Sequence, residues 1–211
     1  MMNKIKRIFR NIAVPGLMNY LVFAMGLMYV ADLLTQGKLW GLFAFSRSAI
    51  LTGQVWRVLT FTILPINTSP IWTIIALLLY FQIGRELESS WGAHEVTCYL
   101  LLSWALTVVT GFIFGYVGNY NIYLGLFLAY VKVLPHMQMR LFFMIPVEAW
   151  ILALVDAVLM ALSLIMYGEV SAIPAFITFA IFFGGEYITM IKSRKRMHDF
   201  NEAFKHRNDD K

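Results

Sequence analysis

Long runs of apolar residues, separated by short polar or basic segments, make up most of the chain. About 20 consecutive apolar residues cross the hydrocarbon core of a bilayer as a helix, and in lipid only helices and closed barrels satisfy their own backbone hydrogen bonds. The runs are too long for barrel strands, so the pattern predicts an all-α integral membrane protein. We predict six spans, the second and fourth of them short: residues 16–34, 71–85, 96–117, 122–134, 142–167 and 172–191.

The segment between the first two predicted spans, residues 35–70, resembles neither a span nor a linker. It is too polar to cross the bilayer and too apolar to be a free linker, so we predict short helices that lie in the interface. We call this segment the first loop. The chain then divides into a basic N-terminal segment, residues 1–15, a six-span domain, residues 16–191, and a charged tail, residues 192–211.

The basic residues predict the orientation of these spans. Of the 17 lysines and arginines, 14 precede the first span or lie at or beyond the ends of the second, fourth and sixth spans, and the other three, Lys38, Arg47 and Arg57, lie in the first loop. Because cytoplasmic segments carry an excess of Lys and Arg, both termini are predicted to be cytoplasmic. We find no targeting extension and no signal-peptide cleavage site, so we expect a multi-pass protein of a bacterial plasma membrane.

The composition agrees with this class of protein. Hydrophobic residues make up 60% of the chain and charged residues 14%, with a mean hydropathy of +0.69, whereas soluble domains contain roughly 45–50% apolar and about 25% charged residues. The net charge of +5 follows from the charges at the span ends, so we expect no nucleic-acid partner. The single cysteine, Cys98, excludes an intramolecular disulfide and a multi-cysteine zinc site, and we expect no cofactor.

One acidic residue, Asp156, lies near the middle of the predicted fifth span. A charged side chain at this depth is costly and is therefore a candidate functional residue. Asp156 is either a helix-packing residue or a group that couples transport to protons or ions, and a small transporter that uses Asp156 is one alternative function. Asp32, Glu148 and Glu186 lie nearer to span ends, so we expect them at the interface.

Three short motifs follow one another along this frame. They are the pair Trp56-Arg57 in the first loop, the pattern Gly-x-x-x-Glu-x-x-x-Gly at Gly84, Glu88 and Gly92 after the second span, and Leu124-Gly125 at the start of the fourth span, with Pro135 and Pro146 beyond it. Together they resemble the rhomboid superfamily over roughly residues 15–190. The resemblance implies a six-helix transmembrane bundle with a long interfacial first loop.

The motif residues also have structural roles that follow from their own chemistry. Arg57 can donate to backbone carbonyls of the first loop while the Trp56 indole anchors at the lipid headgroups. Glu88 can accept from backbone N–H groups of the connection that follows it, and Gly84 and Gly92 permit tight turns. These roles stabilise a fold and do not require catalysis.

The resemblance further implies where catalytic residues would lie. Active rhomboids use a serine in Gly-x-Ser-Gly at the start of the fourth span, a histidine in the sixth span, and the pair His-x-x-x-Asn in the second span. In this chain Leu124 stands at the serine position, and residues 172–191 contain no histidine. Trp72 and Ala76 stand at the histidine and asparagine positions of the second span. Because loss of triad members costs serine proteases on the order of 10⁴–10⁶ in rate, we predict no catalytic residue.

The resemblance therefore points to an inactive member of the superfamily, a pseudoprotease similar to the derlins. Such proteins bind the membrane-spanning segments of client membrane proteins within the lipid bilayer, and short spans are compatible with this role through hydrophobic mismatch. An active rhomboid-type intramembrane serine peptidase is the second alternative function. It would need serines outside the motif, such as Ser103 or Ser163, although a helical serine more often bonds to its own backbone.

Small residues at Gly111, Gly115 and Gly118 form a stripe at the end of the predicted third span. Such stripes allow helices to approach closely. We predict a helix contact within the fold here, with dimerisation as the second interpretation, and the sequence leaves the oligomeric state open.

Overall fold

A computed structural model of the chain describes residues 13–65, 69–134, 138–141, 145–148 and 173–184, together with positions 151, 154, 158 and 162. These parts are mainly helical, as the hydropathy pattern predicts. The helices are α1 (Leu17–Leu34), α2 (Lys38–Phe43), α3 (Arg47–Leu51), α4 (Arg57–Thr60), α5 (Pro70–Trp91), α6 (Ala93–Phe114), α7 (Tyr120–Val133) and α8 (Ile173–Gly184), with a 3₁₀ turn at Phe61–Ile63.

Two of these helices, α1 and α6, are long and apolar enough to cross a membrane. The helices α7 and α8 are apolar but shorter. The described residues thus support a helical protein with two candidate spans, and the complete six-helix bundle stays a prediction. Asp156, Ser163, Glu186 and the predicted tail, residues 192–211, lie outside the described residues.

The predicted fifth span begins differently from the expectation. Two strands, β1 (Gln138–Leu141) and β2 (Ile145–Glu148), form an antiparallel hairpin, so β2 occupies the first part of the segment predicted to span from residue 142. Pro146 explains the difference, because proline disfavours the helical conformation of the residue before it and cannot donate a helical hydrogen bond. Helical backbone is present from Ile151 onwards at the four described positions of this segment.

Glycines and a proline set the ends of the long helices. Pro70 stands at the first position of α5, where its missing N–H is not needed. Gly92, with φ 101°, is the single residue between α5 and α6, and Gly115, with φ 93°, ends α6. The second predicted span was expected to be short and to end at residue 85, but α5 has 22 residues and continues to Trp91. The helix continues because polar side chains in its last turns have hydrogen-bond partners: Glu86 accepts from Gln82, four residues earlier, and Glu88 accepts from Gly16.

The helix α7 lies at the centre of the packing. All residues from 121 to 127 are buried, and α5 contributes Tyr80, whose ring stacks on Tyr123 at a centroid distance of 4.8 Å. An aromatic cluster joins α8 to the ends of α5 and α6, with Trp91 stacked on Phe183 at 5.4 Å. Tyr99 of α6 packs edge-on against Phe182 of α8, with a distance of 5.1 Å between the ring centroids. The core is therefore built around α7, the helix that carries Leu124 and Gly125.

The first loop contains the predicted short helices α2, α3 and α4, and the glycine stripe meets this loop instead of another helix. A methyl group placed on Gly111 would lie 2.7 Å from Val117 and 2.8 Å from Phe45 of the first loop. Gly115 is the left-handed end of α6, and a methyl group on Gly118 would meet open space. Within the described residues, the close contact predicted at these glycines is therefore made by Gly111 with the first loop, and a contact with another helix at this stripe stays a prediction.

Candidate functional site

The Trp56-Arg57 motif organises the first loop. Arg57 is 6% exposed, and its guanidinium donates to the carbonyls of Ala44 (2.7 Å) and Gly41 (2.8 Å) and to Gln54 Oε1 (2.7 Å). This confirms the predicted donation to loop carbonyls. A guanidinium carries several donors in a fixed plane, so one side chain can hold the end of α2 and the start of α4 together.

Trp56 and Arg47 make further hydrogen bonds that hold the first loop in place. Trp56 is half exposed, and its indole N–H reaches the Leu42 carbonyl at 3.4 Å. Arg47 donates from its guanidinium to the Phe112 carbonyl at 3.0 Å, and its backbone N–H donates to the Gly115 carbonyl at 3.0 Å. A positive charge is favourable at the C-terminal end of a helix such as α6. The loop is therefore attached to α6 at its end.

Gly84 and Glu88 lie one turn apart on α5 and both face the start of α1. A Glu88 carboxylate oxygen accepts from the Gly16 backbone N–H at 2.7 Å, although the two residues are 72 positions apart in the chain. A methyl group on Gly84 would lie 2.6 Å from the Met18 Cβ, so only glycine allows α1 this close. A carboxylate at the N-terminal end of α1 also interacts favourably with the helix dipole.

These contacts correct two predicted roles. Glu88 was expected to accept from the connection after the second span, but its identified partner belongs to the start of α1. Gly84 was expected to permit a turn, but it lies inside α5 and serves close packing. Gly92 does permit the predicted tight turn. The sequence pattern could not reveal the partner, because hydrogen bonding between distant segments leaves no local signal.

Leu124, at the position that the resemblance assigns to a nucleophile, is a core residue. It is 2% exposed and packs with the buried Ala175 of α8. The backbones of α7 and α8 approach each other at the next residue, Gly125, where a methyl group would lie 3.7 Å from the Ala175 Cα, an ordinary van der Waals contact. The Gly125 carbonyl accepts from the Tyr99 hydroxyl at 2.7 Å. Leucine and alanine side chains provide no nucleophile and no base.

The two other positions that the resemblance assigns to catalytic residues, Trp72 and Ala76, both lie on α5. Trp72 is 56% exposed, so its ring faces away from the core, while Ala76 is partly buried against it. The residue that α5 turns inward at this level is Thr73, which is buried. Trp72 therefore cannot replace an oxyanion-stabilising histidine beside Leu124.

The hydrogen bonds of Glu86 were not predicted from the sequence, whereas Ser103 was named there as a candidate serine. Tyr130 donates to Glu86, which also accepts from the Gln82 amide at 2.9 Å. Ser103 is fully buried close to Gly125, and its hydroxyl has no partner within the described residues. Ser103 thus departs from the general tendency of helical serines to bond to their own backbone, and Thr107 makes that kind of bond, to the Ser103 carbonyl at 2.7 Å. The spacing of Ser103 and Thr107 on one helix face could have indicated a buried polar stripe.

An apolar cleft lies between α1, α6, α7 and the first loop. It has a volume of about 190 Å³ and is partly open to the outside. Its walls come from four elements: Leu17 and Leu21 of α1, Leu100 and Trp104 of α6, Thr62 of the first loop and Tyr123 of α7. We refer to it as the apolar cleft. Its lining is almost entirely hydrocarbon, which suits an apolar occupant.

Within the ranges that the structure describes, no three His, Cys, Asp or Glu side chains are grouped closely enough to hold a metal ion. In comparisons with known proteins, no family model, no curated protein and no solved structure matches the chain. The assignment of function therefore rests on the residues and their contacts.

Proposed function

We propose that the chain is a catalytically inactive, rhomboid-like, multi-pass membrane protein that binds the transmembrane segments of other membrane proteins. The buried contact between Leu124 and Ala175 is the observation that carries the inactive half of this proposal. In the family that the motifs resemble, a nucleophile and its base would meet between these two helices. Two aliphatic side chains there supply neither an attacking atom nor a proton acceptor.

The motif residues support the same interpretation. Arg57 holds the first loop, and Gly84 and Glu88 hold α1 against α5. Each motif residue thus has a structural use that is independent of peptide hydrolysis. A chain can therefore keep these motifs for its architecture while losing every catalytic group.

The apolar outer face of α1 supports the binding half of the proposal. Large side chains are exposed there at helical spacing: Tyr20, Phe23, Leu27, Val30 and Leu34. Alternating steps of three and four residues are the pattern by which one helix packs along another.

A serine-reactive fluorophosphonate tests the inactive half. We expect no labelling of the purified protein in mild detergent, because an unactivated serine reacts poorly without a neighbouring base. The measurement is in-gel fluorescence, with a known serine protease as the positive control and heat-denatured protein as the negative control. Labelling that is lost in Ser103→Ala would identify a serine hydrolase and contradict the proposal.

Site-specific photocrosslinking tests the binding half. A photoreactive residue at Leu27, on the outer face of α1, is expected to yield protein adducts in native membranes, and mass spectrometry should map them to spanning segments of other proteins. Val109 of α6 is exposed to a similar extent and is the matched control, at which we expect lipid adducts only. Equal adducts at both positions, or none at Leu27, would overturn this half of the proposal.

A further inference from the structure

The polar groups that line the apolar cleft are all engaged inside the protein. The Thr62 hydroxyl donates to the Leu59 carbonyl at 2.6 Å, and the Tyr123 hydroxyl donates to the Thr62 carbonyl at 2.7 Å. The Trp104 indole N–H donates to the Val58 carbonyl at 3.1 Å. Because these donors already have acceptors in the first loop, the cleft presents a hydrocarbon surface to any ligand.

The position of the cleft brings this surface into contact with the hydrocarbon of a bilayer. Its walls include α1 and α6, the two helices that are long and apolar enough to span. Trp104 lies on α6, which begins at Ala93, and a rise of 1.5 Å per residue puts it about 16 Å along the helix, near the middle of a hydrocarbon core roughly 30 Å thick. The partly open side of the cleft is therefore continuous with the acyl-chain region that would surround these two helices.

The volume of the cleft decides which apolar occupant it can take. A helix with its side chains is about 10–12 Å in diameter, so a spanning segment of a client cannot enter a volume of about 190 Å³. A flexible chain of methylene groups can enter it. Apolar cavities of roughly 150 Å³ stay free of water and bind small hydrocarbons, so water is a poor competitor.

We propose that the apolar cleft is a binding site for one acyl chain of a membrane lipid. The bound chain would fill the space between α1, α6 and α7 and would contact Trp104 and Tyr123. This inference rests on the membrane location in the proposed function but not on client binding. The polar groups that line the cleft are already bonded within the protein and do not contact a lipid headgroup. The site therefore selects lipids by their acyl chains.

Quenching of Trp104 by brominated acyl chains tests the site. The full chain is reconstituted in phosphatidylcholine vesicles with or without bromine on the acyl chains, and the contribution of Trp104 is the quenching that is lost in Trp104→Phe. We expect Trp104 to be quenched in the parent protein. Leu21→Phe, which fills the cleft, should reduce that quenching, whereas Leu78→Phe, on the exposed face of α5, should leave it unchanged.

Two outcomes would overturn the proposal: a Trp104→Phe variant with the same total quenching as the parent, which would mean no quenching of Trp104, or equal Trp104 quenching in Leu21→Phe and Leu78→Phe. If Leu21→Phe fails to fold, a count of the phospholipids that stay bound after detergent washing, with Leu101→Phe as a second cleft-filling variant, gives the same test. Failure of this test leaves the crosslinking at Leu27 unaffected. Failure of that crosslinking likewise leaves the acyl-chain site standing.

Discussion

Replacing Arg57 with methionine is expected to lower the free energy of unfolding by about 3–5 kcal/mol, because each bond to a charged donor contributes about 1.5–3 kcal/mol and buried acceptors are left unpaired. The variant keeps most of the volume of the side chain but removes the donors to Gly41, Ala44 and Gln54. The measurement is the unfolding midpoint of the detergent-purified protein against temperature or SDS. Arg57→Lys should recover only part of the loss, because one ammonium group cannot reproduce the planar fork.

Arg47→Met is the matched control, since it makes the same substitution at another arginine of the first loop. Arg47 is exposed and donates its side-chain bonds to the last carbonyls of α6, so we expect a loss of less than about 1 kcal/mol. Equal losses in Arg57→Met and Arg47→Met would show that the buried guanidinium does not organise the loop. That result would remove the structural explanation for the Trp56-Arg57 motif.

Replacing Gly84 with alanine is expected to separate α1 from α5. The added methyl group would lie 2.6 Å from the Met18 Cβ, which is close to the backbone and cannot rotate away. Such overpacking typically costs about 1–3 kcal/mol, and the loss should appear as a lower unfolding midpoint. Weakening of the hydrogen bond from Gly16 to Glu88, one turn further along α5, is expected to accompany it.

Two further variants control for causes other than this contact. Gly118→Ala places the same methyl group in open space and should leave the midpoint nearly unchanged. Met18→Gly removes a buried core side chain and is itself destabilising, but the double variant with Gly84→Ala no longer has the overlap and should lose less than the sum of the two single losses. Additive losses would mean that the cost of Gly84→Ala does not arise from its contact with Met18, since alanine has the higher helix propensity of the two residues.

The sequence predicted well those features that depend on neighbouring residues. The helices α1 and α6 coincide closely with predicted spans, since hydropathy and length are local properties of a segment. The short helices of the first loop and the use of Arg57 as a donor to loop carbonyls also agree with the prediction. An arginine carries several donors and no acceptor, so its chemistry alone indicated that it would donate to carbonyls, and only the structure showed that it is buried.

Features that depend on contacts between distant segments were predicted poorly. The partner of Glu88, the packing of Gly84 on Met18 and the contact of Gly111 with the first loop all join parts of the chain that are far apart in sequence. The strand that contains Pro146 replaced the expected start of a span, although proline was a local signal that could have been used. The apolar cleft could not be foreseen, since its lining comes from four separate elements.

By itself, the sequence determined that the chain is mainly helical, that it is too apolar for an ordinary soluble domain, and that a leucine stands where the resemblance requires a nucleophile. Only the tertiary structure decided what surrounds Leu124, which partner Glu88 meets, and which face Trp72 turns to. The physical reason is that backbone hydrogen bonding and apolar burial act on each segment locally. The approach of one helix to another depends instead on the fit of side chains that the chain brings together only when it folds.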